Sequence, residues 1–166
     1  MEQFLLSETK DEQFSNSIYE IYLKTYSKCR QYPEYYKWLY GKAIPRILQK
    51  NRTGEGIVIT DKLDLAGEAI LKDDGKEKKI CNIFVSEEYR RRGYGEALVD
   101  KAMEILDTQY PLITIPEGQI KMFQGIINSN HWKLSYISYK YKTPELVFND
   151  PQIMLLDESP KRILRK

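Results

Sequence analysis

Six consecutive residues, Arg90-Arg91-Arg92-Gly93-Tyr94-Gly95, set three permanent positive charges and two glycines at the start of a helical pattern. After them Leu98, Ala102, Ile105 and Leu106 fall at i, i+4, i+7 and i+8, one face of a helix. Before them Ile80 to Val85 is mostly apolar and closes on Ser86-Glu87-Glu88, as a buried strand does. A strand that feeds a glycine turn and then a helix leaves the first helical N–H groups without intrahelical partners. Those donors, with the positive end of the helix dipole, form a site for an anion. Gly93 and Gly95 carry no Cβ, so the backbone there can come close to a phosphate. A solvated basic turn would account for the glycines but not for three arginines gathered at a helix start. The turn is no P-loop, because no Gly-Lys-Ser/Thr follows the glycines. It is no dinucleotide fingerprint either, since Leu98 stands where the third glycine belongs.

The elements that must hold this turn can be read along the chain. Ser7 to Glu12 is a polar lead with capping potential, and Phe14, Ile18, Ile21, Tyr22 and Tyr26 then repeat at helical spacing to about Cys29. Pro33 breaks the pattern, and Glu34 to Gln49 reads as a second helical region interrupted at Gly41 and Pro45. Asn51 to Gly56 reads as a polar turn. Ile57–Thr60, Leu65–Leu71 and the strand from Ile80 then form an antiparallel meander of three strands. After the helix, Pro111 to Pro116 reads as a short strand parallel to Ile80–Val85, reached by a crossover through the helix. Gln119–Ile127 reads as a helix, Trp132–Tyr141 and Glu145–Phe148 as strands. The domain is expected over residues 1–150, with residues 151–166 as a tail ending in basic residues.

Composition limits the function classes. At 166 residues, 42% apolar and 30% charged, the chain can bury a core of its own. Lys and Arg total 26 against 24 Asp and Glu, net +2, which makes no general case for nucleic-acid or membrane binding. Cys29 and Cys81 suggest neither a disulfide scaffold nor a metal site, and no metal is expected. No basic, apolar leader opens the chain, and no stretch approaches the ~18 apolar residues of a membrane span, so a bacterial-type cytoplasm is the expected setting.

The stretch resembles the acetyl-CoA loop of the GNAT superfamily of acyl-CoA N-acyltransferases, whose pattern is Arg/Gln-x-x-Gly-x-Gly/Ala after a strand ending in an apolar-x-Val step. Arg90, Gly93 and Gly95 fill the pattern, and Ile83-Phe84-Val85 fills the strand end. The element order matches that family over about residues 14 to 149. The resemblance implies an α/β (α+β) fold with a mixed sheet, an antiparallel N-terminal meander and a central parallel strand pair flanked by helices. By the same resemblance, backbone groups around Ile83, Phe84 and Val85 bond the pantetheine arm. The N–H groups of Arg91, Arg92, Gly93, Tyr94, Gly95 and Glu96 hold the pyrophosphate, with Arg90 beside them. Acetyl-CoA is then the co-substrate, and a neutral amine attacks its thioester directly while the Val85 N–H polarises the carbonyl.

The chain departs from the family where the proton chemistry belongs. Pro116-Glu117 replaces the usual amide at the end of the parallel strand, Phe123 and Ile127 occupy the helix that usually offers a tyrosine acid, and His131-Trp132 stands in place of Gly-Phe. Tyr136, Tyr139 or water is left as the acid. Glu68 and Glu117 are the candidate bases, each set against an ordinary surface carboxylate. Glu117 is expected partly buried at the cleft mouth with its pKa raised, and His131 is expected to be a turn residue. The expected function is N-acetyl transfer from acetyl-CoA to a primary amine of a small molecule or of a protein or RNA terminus. The alternative is a module that binds acetyl-CoA or a protein partner with little turnover; a homodimer stays open.

Overall fold

The computed structural model describes residues 1–158. In chain order it runs β1 (Glu2–Leu5), α1 (Asp11–Thr25), α2 (Tyr35–Trp38), α3 (Ile44–Leu48), β2 (Gly54–Asp61), β3 (Asp64–Asp73), β4 (Lys78–Val85), α4 (Tyr94–Leu106), β5 (Leu112–Pro116), α5 (Ile120–Ser129), β6 (Leu134–Ser138), β7 (Glu145–Phe148) and α6 (Pro151–Glu158). The strands make a seven-stranded sheet in the order β1-β2-β3-β4-β5-β7-β6. β1 to β4 pair antiparallel, β4 and β5 pair parallel, and β7 and β6 close the far edge antiparallel. This is the mixed sheet, with a central parallel pair flanked by helices, that the resemblance implies.

Apolar alternation decides which side of the sheet each helix covers. Ile57, Ile59, Ala69, Leu71, Ile80, Ile113 and Phe148 face Leu98, Val99, Ala102 and Leu106 of α4 and Ile126 and Ile127 of α5. The opposite side is covered by the N-terminal helices. Val58 and Leu65 pack against Ile18, Ile21 and Ile47, and Ile70 against Tyr35, Leu39 and Ala43. A fully buried Leu or Ile is worth about 1.5–3 kcal/mol, so these two layers hold the sheet from both sides.

Several elements differ from the sequence reading, each for a local reason. The antiparallel part has four strands, because Glu2–Leu5 pairs with β2 as an edge strand too short to show a period. Residues 54–56, read as a turn from their glycines, belong to β2. A Cβ on Gly56 would run into the Leu6 side chain, and one on Gly54 would lie 2.8 Å from Arg46 Cβ. These glycines serve close packing rather than turning. Between α2 and α3 the helix widens into a π turn over Leu39–Ala43. Pro45, at the start of α3, has no N–H to give and its ring crowds the carbonyl four residues back. The C-terminal tail begins as helix α6; residues 159–166 lie outside the described residues.

One irregularity shapes the middle of the sheet. Leu71 pairs with Ile80 and Ile70 with Asn82, so Cys81 is an extra residue on β4. Such a bulge bends its strand and increases its twist. β4 and β5 pair only at Lys79↔Leu112 and Ile80↔Ile113. Beyond the bulge the two strands part.

Candidate active site at the split between β4 and β5

The strand end is pinned before the turn begins. Buried Ser86 donates its N–H to the Ala66 carbonyl at 2.9 Å and its hydroxyl to the Leu65 carbonyl at 2.7 Å. Glu87–Tyr89 form one 3-10 turn, and then Arg91 and Gly93 take left-handed backbone angles, φ 58° and 83°. Gly93 is the N-cap of α4, and no side chain caps that end. The first helical bond runs from Ala97 N–H to the Gly93 carbonyl at 3.0 Å, so the N–H groups of Tyr94, Gly95 and Glu96 have no intrahelical acceptor. A Cβ built on Gly93 meets no protein atom within 4 Å. Open space thus lies beside the free amides.

The three arginines are exposed, and each differs in its neighbours. Arg90 donates Nε–H to the Val85 carbonyl at 3.1 Å. The Arg92 guanidinium lies 5.4 and 5.7 Å from the ring centres of Tyr89 and Tyr94, a cation–π position. Tyr94 is buried and donates its hydroxyl to Asp61 at 3.2 Å, which fixes the first turn of α4 to the β2–β3 hairpin. Glu96 is exposed on the first turn of the helix.

Strand pairing decides which β4 groups face the split. Ser86 bonds Ala66 across β3, and antiparallel partners alternate between bonded and non-bonded pairs. Counting back, Phe84 and Asn82 spend their backbone groups on β3, while Val85 and Ile83 turn theirs toward β5. The Ile83 and Val85 N–H and C=O groups therefore line the gap. Both carbonyls already have partners, Lys28 on Ile83 at 3.2 Å and Arg90 on Val85.

On the side of the sheet covered by the N-terminal helices, Glu68 lies at 0% exposure. The surface-carboxylate reading of it is corrected. Glu68 Oε1 accepts a short hydrogen bond from Asn82 Nδ2, and Asn82 Oδ1 accepts one from Lys28 Nζ. Asn82 therefore stands between the amine and the carboxylate. Glu68 Oε2 is a buried side-chain oxygen without a hydrogen-bond partner among the described residues. Burial pushes the Glu68 carboxyl up to about 7 against the opposing pull of Lys28. Burial lowers the Lys28 amine, against the pull of Glu68. Lys28 is half-buried as a whole, and burial drives both groups toward their neutral forms. Tyr35 completes the nest. Its hydroxyl lies 2.7 Å from Thr25 Oγ1 and accepts from Asn82 Nδ2 at 3.4 Å, and burial followed by the Glu68 charge raises its pKa.

The same N-terminal segment reaches across to the other side of the gap. Tyr32 donates its hydroxyl in a short bond to buried Glu145, stacks edge-on against Tyr141 at 5.0 Å, and is followed by Pro33. Gln31 Nε2 donates to the Thr143 carbonyl at 3.1 Å. Residues 28 to 32 thus form a strap from β4 to the β6–β7 turn. Sequence reasoning did not single out Lys28, Asn82 or Glu145. Their contacts join residues up to 113 apart, and no local period signals them.

The other expected site residues lie apart from this nest. Glu117 begins a 3-10 turn after β5 and is exposed, so the partial burial expected for it is not found. Tyr136 is 46% exposed on β6, paired with Val147, which in turn pairs with Thr114, and so shares a sheet face with them. Tyr139 is 75% exposed. His131 sits in a left-handed turn, φ 54°, with its N–H on the Asn128 carbonyl, which is the conformation a glycine would fill. Trp132 is buried with its indole N–H on the Gln109 carbonyl at 3.0 Å, so it packs as a core residue. Among the described residues no group of three His, Cys, Asp or Glu is placed to hold a metal, and no helix is long and apolar enough to cross a membrane.

The family model of the acetyltransferase (GNAT) family matches residues 15–115, more than half of the chain. The chain belongs to the GNAT family. No curated protein matches its sequence. Among solved structures, the GNAT chain is similar to an acyl-CoA N-acyltransferase from Pseudomonas aeruginosa, at 13% identity and TM-score 0.62 over 89% of this chain and 97% of that one. It is also similar to a GNAT family acetyltransferase from Elizabethkingia anophelis with acetyl-CoA bound, at 15% identity and TM-score 0.51 over 72% and 84%. Nourseothricin acetyltransferase matches at 17% identity and TM-score 0.50 over 58% of this chain, which spans 64% of that protein. At these identities the likeness is one of fold.

Proposed function

We propose that this GNAT chain transfers an acetyl group from acetyl-CoA to a primary amine by direct attack. One observation carries the reading. The split beyond Ile80 and Ile113 has free helix amides, a left-handed glycine and arginines at one end. On its other side lies a buried Lys28–Asn82–Glu68 nest. The amides of Tyr94 to Glu96 hold the pyrophosphate, and the inward backbone of Ile83 and Val85 holds the pantetheine arm once Arg90 gives up the Val85 carbonyl. The Val85 N–H polarises the thioester oxygen. Glu68, with one carboxylate oxygen unpartnered and a pKa near 7, takes the proton of the attacking amine. Exposed Glu117 orients the acceptor at the mouth. The leaving thiolate takes its proton from water in the split, since α5 offers Phe123 and no tyrosine.

A binding module with little turnover is the second reading, favoured because Lys28 and Arg90 occupy the inward carbonyls of Ile83 and Val85. Thiol release from acetyl-CoA across a panel of amines, peptides and tRNA separates the two, with calorimetry of CoA binding alongside. Binding with thiol release on at least one acceptor is expected. Binding without release on any acceptor selects the module, and no binding removes both readings.

A further inference from the structure

We propose that Lys28 is itself an acetyl acceptor, modified by acetyl-CoA bound to the same chain. The inference rests on the acetyl-transfer reading of the split. Lys28 Nζ donates to the Ile83 carbonyl at 3.2 Å, and that carbonyl belongs to the backbone edge facing the gap. The amine is therefore already lodged on the wall where an attacking nitrogen belongs. Its partners are neutral oxygens, the Asn82 amide and the Ile83 carbonyl.

A lysine that serves only to stabilise a buried carboxylate would bond it directly. Here Asn82 takes that place, giving Nδ2–H to Glu68 and Oδ1 to Lys28, and Glu68 Oε2 stays without a partner. Burial lowers the amine's pKa and supplies the lone pair that an ammonium lacks. The step balances without a further reagent. The Nζ lone pair attacks the thioester carbon, the C–N bond forms and the C–S bond breaks. CoA leaves as the thiolate and becomes the thiol with the proton lost by the nitrogen. The product is N-acetyl-Lys28 and free CoA. The acetylated side chain keeps one N–H for Asn82 or Ile83.

The test incubates the full chain with acetyl-CoA and no other acceptor. Peptide mass mapping over time follows each lysine, with CoA binding measured by calorimetry. Lys28 should gain an acetyl group at least about tenfold faster than exposed Lys62 or Lys121, because it is held at the reacting centre. The rate per molecule should not depend on protein concentration, and Gly93→Val, with the turn blocked, should leave Lys28 unmodified. Three results overturn the inference: an unmodified Lys28 in protein that binds acetyl-CoA, modification no faster than at exposed lysines, or equal modification in Gly93→Val. If an amine of the panel is acetylated while Lys28 stays free, the acetyl-transfer reading stands and this inference alone falls. A protein that does not bind acetyl-CoA removes both.

Discussion

Glu68 is where burial and chemistry meet at the scale of one residue. A carboxyl with a folded pKa near 7, above its ordinary 4.5, holds its proton more tightly in the fold than in the unfolded chain. Its contribution to stability is fully present below about 4.5 and is lost as pH rises to about 7. Above that the fold carries the cost of an ionised, buried carboxylate. Glu68→Gln removes this titration while keeping an oxygen for Asn82. Relative to the parent, the variant should therefore gain stability between pH 4.5 and 8, by at most about 3 kcal/mol at 1.36 kcal/mol per pKa unit. Urea unfolding of both proteins at pH 5 and pH 8 measures it. A stability difference equal at the two pH values would show that the carboxyl does not titrate in this window. If Glu68 is the base, the same variant should also lose turnover while CoA affinity holds.

At the scale of elements, the strand, turn and α4 were legible because their signals are local. Ile83-Phe84-Val85, Arg90, Gly93 and Gly95 lie within one supersecondary unit, and the period of Leu98, Ala102, Ile105 and Leu106 marks the helix. The acceptor side was not legible. Lys28 meets Asn82 across 54 residues and Tyr32 meets Glu145 across 113, distances over which no periodicity carries information. The bulge at Cys81 also hides, since an extra residue in an apolar run looks like more strand. Gly54 and Gly56 misled for the opposite reason, because a packing glycine and a turning glycine read alike. Gly93 is the turning kind, and it sets an element-scale prediction. Gly93→Val forces a branched side chain to φ 83°, at a cost of about 1–2 kcal/mol, and fills the open space beside the amides. A modest fall in thermal stability with CoA binding abolished is expected. Parent-like CoA affinity by calorimetry would move the ligand away from this turn.

The whole molecule is nearly neutral, at net +2, so its overall field does little to gather an anion such as CoA. Any electrostatic attraction must come from the cluster of Arg90, Arg91 and Arg92 at one end of the split. Exposed charges are screened over about 10 Å at 0.1 M salt, so CoA affinity should fall as salt is raised, and the fall should be traceable to this cluster. The three arginines should not contribute equally. Arg90 is tied by Nε to Val85, on the wall of the gap, whereas Arg92 is drawn over the Tyr89 and Tyr94 rings. Arg90→Ala should weaken CoA binding about tenfold, the range of one hydrogen bond to a charged group. It should also flatten the salt dependence, whereas Arg92→Ala should do less of each. Calorimetric titrations of CoA at low and high salt on the parent and the three single alanine variants decide the matter. Parent-like affinity and salt slope in all three would leave the amides of α4 as the whole phosphate site and the arginines as a solvated rim.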